Sequence, residues 1–198
     1  PRNFTPCVTR RPAAAKAPAV AQAIETAGLA VERDATRGLD HGAWLPLRLM
    51  FPNADVPAIP LSIQSHGGPQ SAYQLGRALV PLADQGFLTI ASGNLTHNLR
   101  DYQRATLDGG RTPAYVREFA DWLAERLAAN DLPALLDYRQ LAPGAVQVHP
   151  SEEHLLPLFV ALGAGSDNAQ AHRLHAGIDD YVLAMDAYAF SNPKGLLA

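Results

Sequence analysis

The sequence predicts a single α/β domain, and three observations carry that expectation. The 198 residues are 47% hydrophobic and 18% charged, which supplies one substantial core and argues against disorder. Segments with a helical apolar stripe alternate with short strand-like runs along the chain. No internal repeat and no low-complexity tract interrupts that alternation.

Residues 1–16 are rich in Pro and Arg without hydrophobic periodicity and read as an irregular segment. "APAVAQAIETAG" (17–28) then reads as a short helix, with Pro18 near its start and Gly28 suited to the position just past its end. "GAWLPLRLMF" (42–51) and "VPAIPLSIQ" (56–64) read as strands. In the second, Ile59, Leu61 and Ile63 alternate, while Pro57 and Pro60 argue for an edge or irregular strand. "SAYQLGRALVPLADQG" (71–86) is a helix closing at Gly86 and leading into the strand "FLTIA" (87–91).

Thr112 and Pro113 are expected as N-cap and first residue of the next helix, whose stripe is Phe119, Trp122, Leu123 and Leu127. "PSEEHLLPLFVALGAG" (150–165) reads as a capped helix start, with Pro157 tolerable only inside the first turn. "DYVLAMDAYAF" (180–190) alternates as a strand. The domain therefore runs over 17–190, with 191–198 as a tail.

Composition excludes several classes of function. A formal net charge of −3 and scattered Lys and Arg, with no basic run interleaved with aromatics, argue against nucleic acid as a partner. No stretch approaches the roughly 18 apolar residues of a membrane span, and the first residues lack the apolar core of a signal peptide. Cys7 is the single cysteine, which rules out an internal disulfide and a cysteine-rich zinc site, and fits a cytoplasmic location.

Chemistry therefore rests on the seven histidines, the side chains that titrate near neutrality and most often bind metals. His97, in "ASGNLTHNL", follows the run "GFLTI", where the end of a buried strand would open on a crevice. A hydrogen-bonded turn residue is the plainer reading of the same position. His149 and His154 frame "HPSEEH": if Ser151 caps a helix, His154 lies in its first turn beside Glu152 and Glu153. That is either an N-terminal box with surface carboxylates or a metal-ligating imidazole oriented by a carboxylate.

His41, in "GLDHGAW", has Asp40 available to orient it, although a simple turn explains "DHG" equally well. His66 stands in the glycine-rich "SHGGPQ" and reads as inert. His172 and His175 read as one exposed face of a polar helix. No P-loop, GxGxxG or GxSxG pattern occurs.

Taken in order, "RGLDHGAWLPLRLMFPNADVPAIPLSIQ", "GRALVPLADQGFLTIASGNLTHNL", "FADWLAERL" and "LAPGAVQVHPSEEHLLPLFVALGAG" resemble the DOPA-type extradiol dioxygenases. These are a LigB-like branch of the class III ring-opening enzymes, the superfamily of the catalytic subunit of protocatechuate 4,5-dioxygenase. The likeness covers roughly residues 17 to 190. It implies a mostly parallel or mixed central sheet flanked by helices, a non-haem Fe(II) or Zn(II) site, and opening of a catechol such as DOPA by dioxygen beside its two hydroxyls. On matching positions, His97 is implied at the metal centre or as the acid/base over the substrate, His154 as a metal ligand, and His41 in the substrate pocket.

Such a metal would gather a diol and dioxygen at one point, and an imidazole of near-neutral pKa would take and return the catechol proton. The family pattern also has an upstream "SHG(S/A)P"-like segment and a further histidine that supply ligands. "SHGGP" at 65–69 imitates the first but lies in the later half, so no ligand role passes to His66. Absence of that segment would leave about half of a metal shell and expose a sheet edge that favours a homo-oligomer. The alternatives from other classes are a non-catalytic metal-binding or protein-interaction module on the same fold, and a metal-dependent hydrolase, for which no nucleophile motif speaks.

Overall fold

The computed structural model describes residues 15–34, 36–107, 109–167 and 169–191. The expectations placed on residues 1–14, Cys7 among them, and on 192–198 lie outside these residues.

Helix formation follows the predicted stripes most closely where they are longest. Helix α1 (Ala17–Thr26) has Pro18 in its first turn and ends before Gly28, whose φ of +78° suits a residue without Cβ. Two intervening helices, α2 (His41–Met50) and α3 (Gly68–Ala83), precede the fourth, α4 (Leu99–Leu107). Helix α5 (Ala114–Ala128) buries Val116, Phe119, Leu123 and Leu127 along one face. Pro113, rather than Thr112, is its N-cap, so the helix starts one residue later than the sequence suggests.

Three short helices, α6 (Leu132–Leu136), α7 (Tyr138–Leu141) and α8 (Ala145–Val148), wind back to α9 (Leu156–Ala164). Pro157 occupies the second position of α9, where its missing N–H costs nothing.

The core lies among these helices. Leu79 and Leu82 of α3, Phe119, Leu123 and Leu127 of α5, Tyr138, Val148, and Leu155, Leu156 and Phe159 around the start of α9 form one buried cluster. Each large side chain buried there contributes about 1.5–3 kcal/mol. Helix α9 is apolar nearly all round because it is enclosed, with α3 against one side.

The strand expectations need correction. Among the described residues there is no central parallel or mixed sheet: β1 (Gln170–His175) pairs antiparallel with β4 (Ala187–Ser191), and β2 (Ile178–Asp179) with β3 (Leu183–Ala184). Residues 42–50 are helical, because the Asp40 carboxylate accepts from the Ala43 N–H and caps the first turn, and Phe51 ends the helix.

Residues 56–64 and 87–91 form no ladder. Phe87 and Thr89 are half-buried while Leu88 and Ile90 are exposed, so the in–out alternation of a strand persists without a partner. Residues 180–190 divide into β3 and β4 rather than one strand. His172 and His175 lie on strand β1, not on a helix.

Candidate functional site

Two chain segments are laced together at the centre of the molecule. The Asn94 N–H donates to the His154 carbonyl at 2.8 Å and the His97 N–H to the Val148 carbonyl at 3.0 Å. Between them, Nε2 of His149 lies 2.7 Å from the Leu95 carbonyl. The approach is tight enough to require Gly93, since a Cβ there would lie 2.2 Å from the His154 carbonyl oxygen. Thr96, buried in this strip, donates its hydroxyl to the Val182 carbonyl and accepts from the Ala184 N–H, both at 2.7 Å.

The lacing brings two of the three singled-out histidines together. The rings of His97 and His154 stack with centroids 3.6 Å apart and planes 9° from parallel. Both are half-buried. His154 does not lie in a helix: residues 151–155 form turns and α9 begins at Leu156. Ser151 is accordingly no helix cap, and its hydroxyl donates to the Glu153 carboxylate at 2.8 Å. The other Glu153 contact is to Nδ1 of His154, at 3.4 Å.

His41 is placed apart from the pair, exposed as the first residue of α2. That helix start rests near the turn leading to His97, for a Cβ on Gly42 would lie 4.0 Å from Ser92 Oγ. Asp40 does not orient His41, being spent on the helix cap and on Arg37 at 3.7 Å. His66 is exposed in the turn before α3.

Electrostatics of the pair are mutual. Burial lowers the pKa of His97, and the neighbouring His154 lowers it further, against an opposing pull from Glu153. For Glu153, burial acts to raise the carboxyl, but the Ser151 hydroxyl and the two imidazoles outweigh it and leave it below its ordinary value. The site is thus an imidazole stack with a carboxylate at its rim.

Residues missed by sequence reading surround it. His149 is fully buried, and the apolar run "AVQV" before it is the only signal in the sequence that its ring faces inward. Asn98 and Asp101 are buried just past His97, with Asn98 Nδ2 donating to the Gln147 carbonyl at 2.6 Å. As a metal site, the imidazole pair is suitable in kind and short in number. Among the described residues no group of three His, Cys, Asp or Glu side chains is arranged to hold an ion.

Comparison with known proteins now gives this geometry a class. Residues 13–187 match the family of the catalytic LigB subunit of aromatic ring-opening dioxygenase, and the chain belongs to that family. Among its relatives, the 4,5-DOPA dioxygenase extradiol of Beta vulgaris is 39% identical over 162 residues, covering 82% of this chain and 59% of the plant protein. The protein of the same name from Mirabilis jalapa is 37% identical, over 79% of this chain and 57% of its own length. That from Escherichia coli K12 is 35% identical over 64% of this chain and 47% of its own. The chain thus spans less than two thirds of these relatives.

A solved structure of uncharacterized protein JW3007 from Escherichia coli K12 superposes with a TM-score of 0.73 at 27% identity. It covers 88% of this chain and 71% of that one.

Proposed function

We propose that this chain belongs to an extradiol dioxygenase that opens a catechol such as DOPA, with His97 and His154 at the reacting centre. The observation that carries the reading is the stack of those two imidazoles at 3.6 Å, drawn together from separate segments. Family membership and the names of the plant and bacterial relatives support the substrate class.

The family implies a non-haem metal, Fe(II) or Zn(II), which when bound would activate the diol and dioxygen together. His154 would contribute one of its donors, and His97 beside it would either add a second or, with its one lone pair left free, serve as the acid/base over the substrate. The described residues do not complete the set, so the roles below are those of the chain's own side chains.

A catechol hydroxyl must lose its proton before the ring can be attacked. Neutral His97, held half-buried with its pKa lowered, is suited to accept that proton and return it once the ring has opened. His154 lies flat against it and adds to the lowering of the His97 pKa. Glu153 at the rim stabilises the protonated form. His41, exposed near the Ser92 turn, is assigned to the wall of the substrate pocket.

The test is oxygen uptake and product colour with a panel of catechols, together with metal analysis of the purified chain. A ring-opened yellow product from DOPA or a related diol, lost in His97→Ala and His154→Ala, is expected. A chain that holds neither Fe nor Zn and consumes no oxygen with any diol overturns the reading.

A further inference from the structure

The buried histidine of "VHPS" is not accounted for by the reactive pair. His149 is 0% exposed, with its ring edge toward Phe119 at 5.7 Å between centroids. Nε2 sits 2.7 Å from the Leu95 carbonyl, a distance that places the proton on Nε2 as donor. Nδ1 is then a lone pair, buried and without a partner. An apolar side chain would fill this space without the orphaned Nδ1 but would leave the Leu95 carbonyl without its donor, so the imidazole serves a bond as well as packing.

What the ring does is join two segments. The strip carrying His97 and the segment carrying His154 are laced at three points over 94–97, Asn94 to His154, Leu95 to His149, and His97 to Val148, and just beyond them Asn98 Nδ2 donates to the Gln147 carbonyl. The outer two are backbone bonds that survive any side-chain change. The middle one is the only side-chain link of the three. Its own backbone is fixed from both sides, by the His149 N–H on the Ala145 carbonyl at 3.0 Å and by Arg139 Nη1 on the His149 carbonyl at 3.0 Å.

The geometry points to His149 as a positioning residue: its Nε2–H grips the Leu95 carbonyl and thereby sets the distance at which the His97 ring lies on the His154 ring. It touches no reacting atom and acts through that pair. The assignment rests on the proposed function only in taking the pair as the reactive site.

The experiment replaces His149 in the full chain and reads the pair directly. Stacked imidazoles shield each other, so the ring protons of His97 and His154 resonate upfield of their values in H154A and H97A. His149→Gln keeps an N–H donor near the reach of Nε2, whereas His149→Phe keeps volume and loses the donor. Expected are folded proteins by circular dichroism, mutual shielding retained in H149Q, and shielding lost in H149F.

Unchanged shielding in a folded H149F, or its loss in a folded H149Q, overturns the assignment. Should H149F fail to fold, His149→Asn replaces it under the same criteria, since its amide is too short to reach Leu95. Oxygen uptake is recorded in parallel. If the wild-type chain consumes none with any catechol, the dioxygenase reading fails alone, while the ring shifts still decide the role of His149.

Discussion

Gly76 of α3 and Gly163 of α9 face each other where the two helices cross, with no room for a methyl group on either. A Cβ on Gly76 would lie 2.2 Å from the Val160 carbonyl oxygen, and one on Gly163 would lie 2.2 Å from that of Tyr73. In both cases the obstacle is backbone, which cannot rotate away as a side chain can. Gly76→Ala or Gly163→Ala must therefore part the helices and loosen the Leu79–Phe159 side of the core. Each is expected to cost about 3 kcal/mol, the upper end for overpacking, despite alanine's better helix propensity. Urea denaturation measures it, and a loss below about 1 kcal/mol for either would show that the helices can separate freely.

Burial of His149 makes stability depend on pH. The loss of hydration drives its pKa down from 6.5 to about 4, the Leu95 hydrogen bond opposing and the nearby His154, His97 and Arg139 adding to the fall. The folded pKa is depressed, so the unfolded chain takes up the proton first. Stability is complete above 6.5 and falls as pH drops from there toward 4. Over that window the loss is about 3 kcal/mol. Denaturation midpoints at stepped pH check it, and the slope should flatten in a folded H149F.

Long apolar stripes were legible in the sequence, and partnerships were not. Phe119, Leu123 and Leu127 repeat at a helical period and are all buried on α5, and Pro157 limits where α9 can start. By contrast, "GAWLPLRLMF" alternates well enough to read as a strand, yet Asp40 caps it into a helix that buries none of its residues. "FLTIA" keeps a strand's alternation, but a strand is defined by its neighbour, and periodicity says nothing of that neighbour. "HRLH" fits an i, i+3 helical pair or a strand, and its pairing with Ala187–Ser191 decides for the strand.

At the site, the nearness of His97 and His154 came from resemblance. No local spacing contains it, because it is made by backbone bonds between distant segments. His149 was visible as a residue, while its burial was hidden by the polar "HPSEEH" that follows.

Past His97, the buried Asp101 carboxylate is held by donors from three directions. Tyr115 Oη donates at 2.5 Å, Gln147 Nε2 at 3.2 Å and Asn98 Nδ2 at 3.2 Å, all to one oxygen. The Tyr115 bond is the chief reason the carboxyl titrates below its ordinary value, against the opposing effect of burial and with help from Gln147 and Arg104. Tyr115→Phe is expected to cost about 2 kcal/mol at neutral pH, the range for a hydrogen bond to a charged group. A depressed acid contributes its stability above the unfolded pKa, so the difference between wild type and Y115F should shrink as pH falls below 3.8. A pH-independent difference would mean that Tyr115 acts by packing.

On the β1–β4 hairpin, Arg173 Nε donates to the Asp186 carboxylate at 2.5 Å. The Asp186 side chain is only 1% exposed. Burial raises the Asp186 carboxyl above its ordinary value even with the guanidinium pulling the other way, and Asp121, His175 and Tyr188 are the other titratable groups nearby. Removing the arginine strands a buried charge, so Arg173→Met should cost about 3 kcal/mol at pH 7. The sign is opposite to that of Asp101. With its folded pKa raised further, Asp186 would bind its proton more tightly in the folded than in the unfolded chain. The penalty would therefore be smallest near 3.8 and grow as pH rises. Arg173→Met combined with Asp186→Asn removes the stranded charge and should regain most of the loss at pH 7. Urea titrations of both variants at several pH values decide the matter: a double variant no more stable than R173M would show that the guanidinium supports the hairpin by its stem and not by its charge.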